Sequence, residues 1–303
     1  MAVLVTGGAG FIGSHIVDRL ISEGKEVLVI DNLCVGKREA INPKAEFIKF
    51  DLCSDPNQLE GILEEVDTIW HMAANPDVKL SAKMPKLIYD NNILATFNLL
   101  EAMRKSSPKK IIFASTSAIY GQASVVPTPE TYFGKPVSVY GATKLSCEAL
   151  ISSYSSSFGM KSWIFRLSNI IGKRSNHGVI PDFISKLKKD SSQLEILGDG
   201  KQNKSYLHID DCISGMFSGL KAKDTVNIFN IGNTDCINVN EIAMIACNEM
   251  KIKSKLNYTG GKVGWIGDVP VMLLSIDKIK DLGWSPQHNS RQAVELTVKE
   301  ILI

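Results

Sequence analysis

The chain has 303 residues, is 44% hydrophobic and 22% charged, and carries a net charge of +2. This is ordinary globular composition, long enough for one large core or two modest ones. The weak charge excludes nucleic acid and an anionic membrane surface as expected partners.

From the N-terminus, short apolar runs at 3–5, 27–30, 47–50, 68–71, 111–115 and 163–167 predict strands. Amphipathic stretches at 12–22, 59–64, 87–106 and 140–158 predict the helices between them. The strands are continuous apolar runs, as expected where helices cover both faces of a sheet. The pattern predicts an α/β fold with a doubly wound parallel sheet of Rossmann type. Beyond about residue 172 it loosens. Helices are predicted at 180–188, 210–220, 240–250 and 291–301, and short strands near 194–197, 205–208 and 226–231. The expected division is a dinucleotide-binding domain over 1–172 and a smaller α/β substrate lobe over 173–303, with a strand or helix exchanged between them and a cleft where they meet.

Six cysteines and five histidines lie scattered without paired spacing, which predicts reduced thiols and no metal site. There is no basic leader and no run of about 18 apolar residues, so a cytoplasmic protein without a membrane partner is expected.

The stretch VLVTGGAGFIGSH sets Gly7, Gly8, Gly10 and Gly13 between the first strand and the first helix. Gly8-x-Gly10-x-x-Gly13 fits the dinucleotide fingerprint, in which glycines allow a tight turn and a helix N-terminus meets the pyrophosphate. Asp31 closes the second strand about 20 residues on, where a carboxylate accepts from a ribose diol and repels a 2′-phosphate. NAD is therefore expected over NADP. Asp51 and Leu52, ending the third strand, are placed to flank the adenine, and Asp51 is equally suited to cap a turn.

In SVYGATKLSCE, Tyr140 and Lys144 stand four apart and share a helix face. A phenol titrates near 10, and lowering it to about 7 takes about 4 kcal/mol of differential interaction. Two close cations, the lysine ammonium and a nicotinamide ring, are expected to lower it.

The motifs TGGAGFIGSH, HMAAN, STSAIYG, YGATK and LGDGKQNKSYLHIDD resemble those of the extended short-chain dehydrogenase/reductase family. Within it the chain is most similar to the NAD-dependent nucleotide-sugar 4-epimerases of the UDP-glucose/UDP-galactose type. The resemblance implies Tyr140 as general base and Lys144 on the nicotinamide ribose. It implies Thr116 at the reacting sugar hydroxyl, with Ser117 a close second and Ser115 a turn former beside the cofactor. The implied cofactor set is completed by Gly7, Gly10, Phe11, Ile12, Gly13, Asp31, Asn32, Asp51, Leu52, Ala73, Ala74 and Asn92. For a UDP-sugar it implies Asn169 on the diphosphate and GVIPDFISKL, with Val179 and Ile180, around the uridine. Lys204 is implied near the diphosphate, Asp268 on the nucleotide ribose, and Met272 where sugar size is gauged.

Two positions depart from the family pattern. Lys204 stands where an arginine is usual, so charge is kept but a bidentate fork is lost. Trp265 stands where a second diphosphate arginine is usual, with Lys262 nearby as a substitute.

All members of this group begin by oxidising C4. Dehydratases then need an acid pair after the threonine, and decarboxylases tend to keep a glutamate at the position of Ala118. Here Ser117 and Ala118 follow, and neither side chain can act as a carboxyl acid. The implied reaction is therefore 4-epimerisation. The alternatives are another nucleotide-sugar oxidoreductase, such as a dehydratase or reductase, and a non-enzymatic NAD-sensing regulator. The family also implies a homodimer through the helices at 87–106 and 140–158.

Overall fold

β-branched and aromatic runs alternate with amphipathic segments along the first half of the chain, and each run becomes a strand. In the computed structural model, which describes residues 2–55, 57–106, 108–261, 264 and 267–303, the order is β1 (Ala2–Thr6), α1 (Phe11–Ser22), β2 (Val27–Asp31), β3 (Glu46–Lys49), α2 (Asn57–Leu63) and β4 (Val66–His71). Next come α3 (Val78–Lys83), α4 (Pro85–Tyr89), α5 (Ala95–Lys105), β5 (Lys110–Thr116), α6 (Val139–Phe158) and β6 (Lys161–Leu167). Then follow β7 (Asn169–Ile171), α7 (Val179–Lys189), β8 (Gln193–Ile196), β9 (Asn203–Lys204), β10 (Tyr206–His208), α8 (Ile209–Gly219) and β11 (Val226–Ile231). The last are β12 (Ile237–Asn238), α9 (Val239–Glu249), β13 (Lys255–Tyr258), β14 (Val271–Met272), α10 (Asp277–Lys280) and α11 (Ser290–Leu302).

The central sheet has the order β11-β6-β5-β4-β1-β2-β3, and β1 to β5 pair in parallel. The strand order reverses beside β1, the switch point where ligands bind in such sheets.

Two compact units emerge. One comprises 1–119, 138–166 and 219–229; the other comprises 120–137, 167–218 and 230–303. The core of the first is built from Leu4, Ile30, Ile69, Leu99, Phe113, Ile151 and Ile164 with their neighbours. Among the described residues the second unit holds three small sheets, β10–β7, β12–β9–β14 and β13–β8, and a core that includes Ile180, Phe183, Ile242 and Val294. Among the described residues no helix is long and apolar enough to cross a membrane.

The stretch 87–106, expected as one regular helix, is instead α4 and α5 joined by a π-helical turn at Asp90–Leu94. The wide turn carries Asn92, and such turns recur where a side chain must be re-aimed. Helix α6 shows both end signals. Ser138 caps it by accepting from the Gly141 N–H at 3.1 Å, and Gly159, at φ 67°, ends it in the left-handed region. The two-residue strands β9, β12 and β14 were not predicted, since segments that short carry no period.

Candidate active site

The glycine turn is dictated by contact. Gly7 sits at φ 68°, and a Cβ there would lie 2.6 Å from the Ala73 nitrogen. A Cβ on Gly13 would lie 2.2 Å from the Gly7 carbonyl oxygen. Helix α1 starts at Gly10 with no side-chain cap and no acidic residue in its first turn. Its first N–H groups, at Phe11 and Ile12, thus face outward without a competing carboxylate, an arrangement that suits a pyrophosphate. Asp31 accepts from the Ala9 N–H at 3.0 Å through Oδ2 and from the Leu33 N–H at 2.7 Å through Oδ1. Each carboxylate oxygen has a second lone pair for a ribose hydroxyl. The turn, the open helix end and the carboxylate together fit a dinucleotide.

Asn32 donates to Asp51 at 3.2 Å and joins the loops after β2 and β3. Asp51 is exposed and accepts from the Cys53 N–H at 2.8 Å, whereas the Leu52 side chain is buried in the core of the first unit. That loop is held from behind by Asn98, which donates to the Leu52 carbonyl at 2.8 Å.

Beyond β4, the Ala73 N–H donates to Thr6 Oγ1 at 3.2 Å, bringing Ala73 and Ala74 beside the glycine turn. Asn92 is committed within the protein. It accepts from the Asn75 N–H at 2.8 Å and donates to Thr143 Oγ1 at 2.9 Å, which ties the π turn to α6.

His71, at the end of β4, is fully buried between Thr6 Oγ1 at 2.8 Å and Thr96 Oγ1 at 2.9 Å. Thr96 passes its own proton to the Asn92 carbonyl at 2.6 Å. The consistent assignment has Nε2–H donating to Thr96 and Nδ1 accepting from Thr6. Burial first, and the Lys144 charge second, push the imidazole down to about 3, so it stays neutral.

Thr116 is the last residue of β5 and Tyr140 lies in the first turn of α6. The Thr116 hydroxyl acts on the Tyr140 phenol and lowers its pKa, and Thr116 Oγ1 accepts from the Ala118 N–H at 3.2 Å. Ser117 opens a 3₁₀ turn directly after. Ser115, expected as a turn former beside the cofactor, is instead a buried strand residue that donates to Glu148. The cause is the two-residue alternation of β5, which turns Ser115 inward and Thr116 to the other face. Lys144 is buried, with its Nζ 4.0 Å from the centre of the Phe113 ring.

The ionisation of this pair differs from the sequence expectation. Burial pushes the Tyr140 phenol up to about 12, the Thr116 hydroxyl pulls it partly back and Cys147 raises it, with no lowering by the Lys144 charge. Burial also pulls Lys144 down to about 8.

In the second unit, Asn169 donates to the Ser205 carbonyl at 3.0 Å. Val179 begins α7 partly exposed, and the Ile180 side chain is fully buried in that unit's core. Lys204 donates to Asp268, which also accepts from the Gly264 N–H at 2.9 Å and the Val269 N–H at 2.9 Å. The two residues expected on diphosphate and ribose thus pair with each other. Met272 neighbours Lys204 in the parallel pairing of β14 with β9. Trp265 and Lys262 lie outside the described residues.

Residues 3–232 match the family model described as the NAD dependent epimerase/dehydratase family. The chain belongs to that family. It is an epimerase-like enzyme, and NAD is its cofactor.

The putative UDP-glucose 4-epimerase of Methanocaldococcus jannaschii is 36% identical over 301 residues, covering 98% of this chain and 97% of its own length. The UDP-glucose 4-epimerase of Thermotoga maritima, solved with UDP-glucose, has a TM-score of 0.92 at 34% identity over 100% of this chain and 99% of its own. The Thermus thermophilus UDP-glucose 4-epimerase, solved with NAD, has a TM-score of 0.91 at 32% identity over the same shares of each chain, 100% and 99%. The UDP-glucuronic acid decarboxylase 4 of Arabidopsis thaliana is 31% identical over 99% of this chain and 68% of its own length.

Several residues that hold the site escaped the sequence reading: Thr6, His71 as a fixed neutral group, Asn98, Glu148 and Arg166. Glu148 alone carried a usable signal, standing four residues after Lys144 on the same helix.

Proposed function

We propose that the chain interconverts UDP-glucose and UDP-galactose by NAD-dependent epimerisation at C4. The observation that carries this reading is the Thr116–Tyr140 hydroxyl pair at the end of β5, followed by Ser117 and Ala118 with no carboxyl group. Thr116 orients the 4-hydroxyl of the sugar, and Tyr140 removes its proton as the C4 hydride departs. NAD⁺ held by the glycine turn and Asp31 would supply the hydride acceptor and donor at C4, and its positive ring would add a cation beside the Tyr140 phenol. The 4-keto sugar turns over, takes hydride on its opposite face, and recovers the proton from Tyr140. Lys144 holds the nicotinamide ribose and keeps a positive charge under it. The glycine turn and Asp31 bind the pyrophosphate and the adenosine ribose. In the second unit, Lys204 retains a cation for the diphosphate, and Asn169, Val179, Asp268 and Met272 serve the nucleotide and sugar.

A decarboxylase reading is disfavoured by Ala118, since a keto-acid route in this group calls on a carboxyl side chain there. The exposed Phe97 and Phe158, on α5 and α6, support a homodimer across these helices.

The test is mass spectrometry of the products from a panel of nucleotide sugars. UDP-galactose should give an isobaric product that co-elutes with UDP-glucose, without net NADH. Loss of one water identifies a dehydratase, and loss of carbon dioxide from UDP-glucuronate a decarboxylase. Either outcome overturns the proposal.

A further inference from the structure

Helix α6 carries Tyr140, Lys144 and Glu148 four apart, on one face of the helix. The Glu148 side chain is only 4% exposed and forms an ion pair with Arg166 of β6, itself 9% exposed. Arg166 Nη2 donates to Oε2 at 2.8 Å, its Nε lies 3.2 Å from both oxygens, and Ser115 Oγ donates to Oε1. Glu148 and Arg166 lie outside the YGATK motif, and Ser115 links them to β5, one residue before Thr116.

A buried ion pair with this many hydrogen bonds is costly to assemble, and replacing such pairs by apolar residues is often neutral or stabilising. Stability alone is therefore a weak reason for it. The stronger reason is a second cation. Among the described residues two groups oppose the effect of burial on Lys144, Cys147 first and Glu148 second; burial pushes the Cys147 thiol up and so disfavours its thiolate, which leaves Glu148 as the carboxylate acting on the lysine. The other groups that face Lys144 give no negative charge. His71 of β4 is neutral, β5 presents the Phe113 ring, and Tyr140 is un-ionised in the protein chain. Arg166 of β6 is itself paired with the Glu148 carboxylate.

We infer that Glu148, braced by Arg166 and Ser115, is a positioning residue that keeps the neighbouring Lys144 ammonium charged. It touches no reacting atom. Its geometry sets how much of its charge reaches the lysine, because the Arg166 fork takes up part of it. Removing the carboxylate withdraws the negative charge one helical turn from Lys144, which drives the proton off the lysine. Removing the guanidinium releases the whole carboxylate charge to Lys144 and holds the proton more tightly. The two changes act with opposite sign, a pattern that packing loss does not produce.

The inference deepens the role given to Lys144 above and rests on that role for its catalytic consequence. Its test does not depend on turnover. In full-length protein carrying ¹³Cε-labelled lysine, the Lys144 resonance is identified by its disappearance in Lys144→Met and followed against pH. The wild-type midpoint should lie near 8. Glu148→Gln, close in shape but uncharged, should move it down by about a factor of ten in proton affinity. At pH 8 the ammonium population then falls roughly fivefold, and at pH 6.5 by less than twofold. Arg166→Met should move the midpoint up, and Glu148→Asp should restore most of the wild-type value. Coincident curves for Glu148→Gln and wild type, or shifts of the same sign in Glu148→Gln and Arg166→Met, overturn the inference. If Glu148→Gln does not fold, the direction of the Arg166→Met shift decides by itself. Should these shifts appear while the product panel shows no epimerisation, the proposed reaction fails and the assignment of Glu148 stands.

Discussion

Replacing Gly13 by alanine sets two opposed effects against each other within α1. Glycine in a helix interior costs about 0.5–1 kcal/mol relative to alanine, so propensity favours the change. The new Cβ, however, would lie 2.2 Å from the Gly7 oxygen, 2.9 Å from the Gly7 carbonyl carbon and 3.0 Å from the Gly8 Cα, all of them backbone atoms. Relieving this contact means moving the glycine turn or α1 by about 1 Å, and overpacking of this kind costs about 1–3 kcal/mol. The clash should win, with a net loss of stability of up to about 2 kcal/mol.

The ligand effect should be larger than the stability effect. Displacing one N–H from a pyrophosphate oxygen removes a charge-assisted hydrogen bond of about 1.5–3 kcal/mol, so NAD should bind roughly 10- to 150-fold more weakly. Gly61→Ala on α2 is the control. It is an exposed helical glycine with nothing within 4 Å of the added Cβ. Propensity acts alone there, and the melting temperature should rise by about 1–4 °C with NAD affinity unchanged. Thermal unfolding and calorimetric NAD titration of the two variants, run side by side, decide the matter. A Gly13→Ala protein that binds NAD like wild type and gains stability like Gly61→Ala would refute the argument that close backbone approach requires this glycine.

Asp31→Ala should weaken NAD binding and relax the rejection of NADP, measured as the ratio of the two dissociation constants; an unchanged ratio removes Asp31 from cofactor selection. His71 binds its proton far more readily unfolded, at 6.5, than folded, at about 3, so the native state is fully stabilised above 6.5 and loses that contribution as pH falls through this interval. The loss should reach about 2–3 kcal/mol by pH 4.5, and His71→Gln should flatten the acid limb in denaturant titrations at a series of pH values. Lys144 is depressed from 10.5 to about 8, so its charged form is a cost of burial at neutral pH that is relieved as pH rises through that window. Lys144→Met should therefore be more stable at pH 7 by about 1–3 kcal/mol while losing turnover, whereas a destabilised variant would mean that the ammonium makes net favourable contacts.

Local periodicity carried much of the first unit. The apolar runs that predict β1, β2, β4, β5 and β6 begin or end within two residues of the strands, because strands buried on both faces need uninterrupted apolar side chains. The glycines of the turn and the four-residue spacing of Tyr140 and Lys144 were legible for a similar reason. Each is a short-range requirement, satisfied by neighbours in the chain. The π turn at Asp90–Leu94 was not legible, because its cause lies in partners elsewhere: Asn92 bonds to Asn75 and Thr143. Nor was the inward turn of Ser115, which depends on where in the alternation β5 meets α6. The Lys204–Asp268 pair joins residues whose separation in sequence gives no hint of contact.

The sequence by itself determined the kind of sheet, the place of the dinucleotide turn and the identity of the hydroxyl, phenol and ammonium groups, since propensity, period and side-chain chemistry are properties of neighbouring residues. Only the tertiary structure decided their ionisation. Burial raises Tyr140, lowers Lys144 and silences His71, and the fold pairs Glu148 of α6 with Arg166 of β6. The physical reason is that desolvation and charge act through space, and the distances that govern them exist only once the chain has folded.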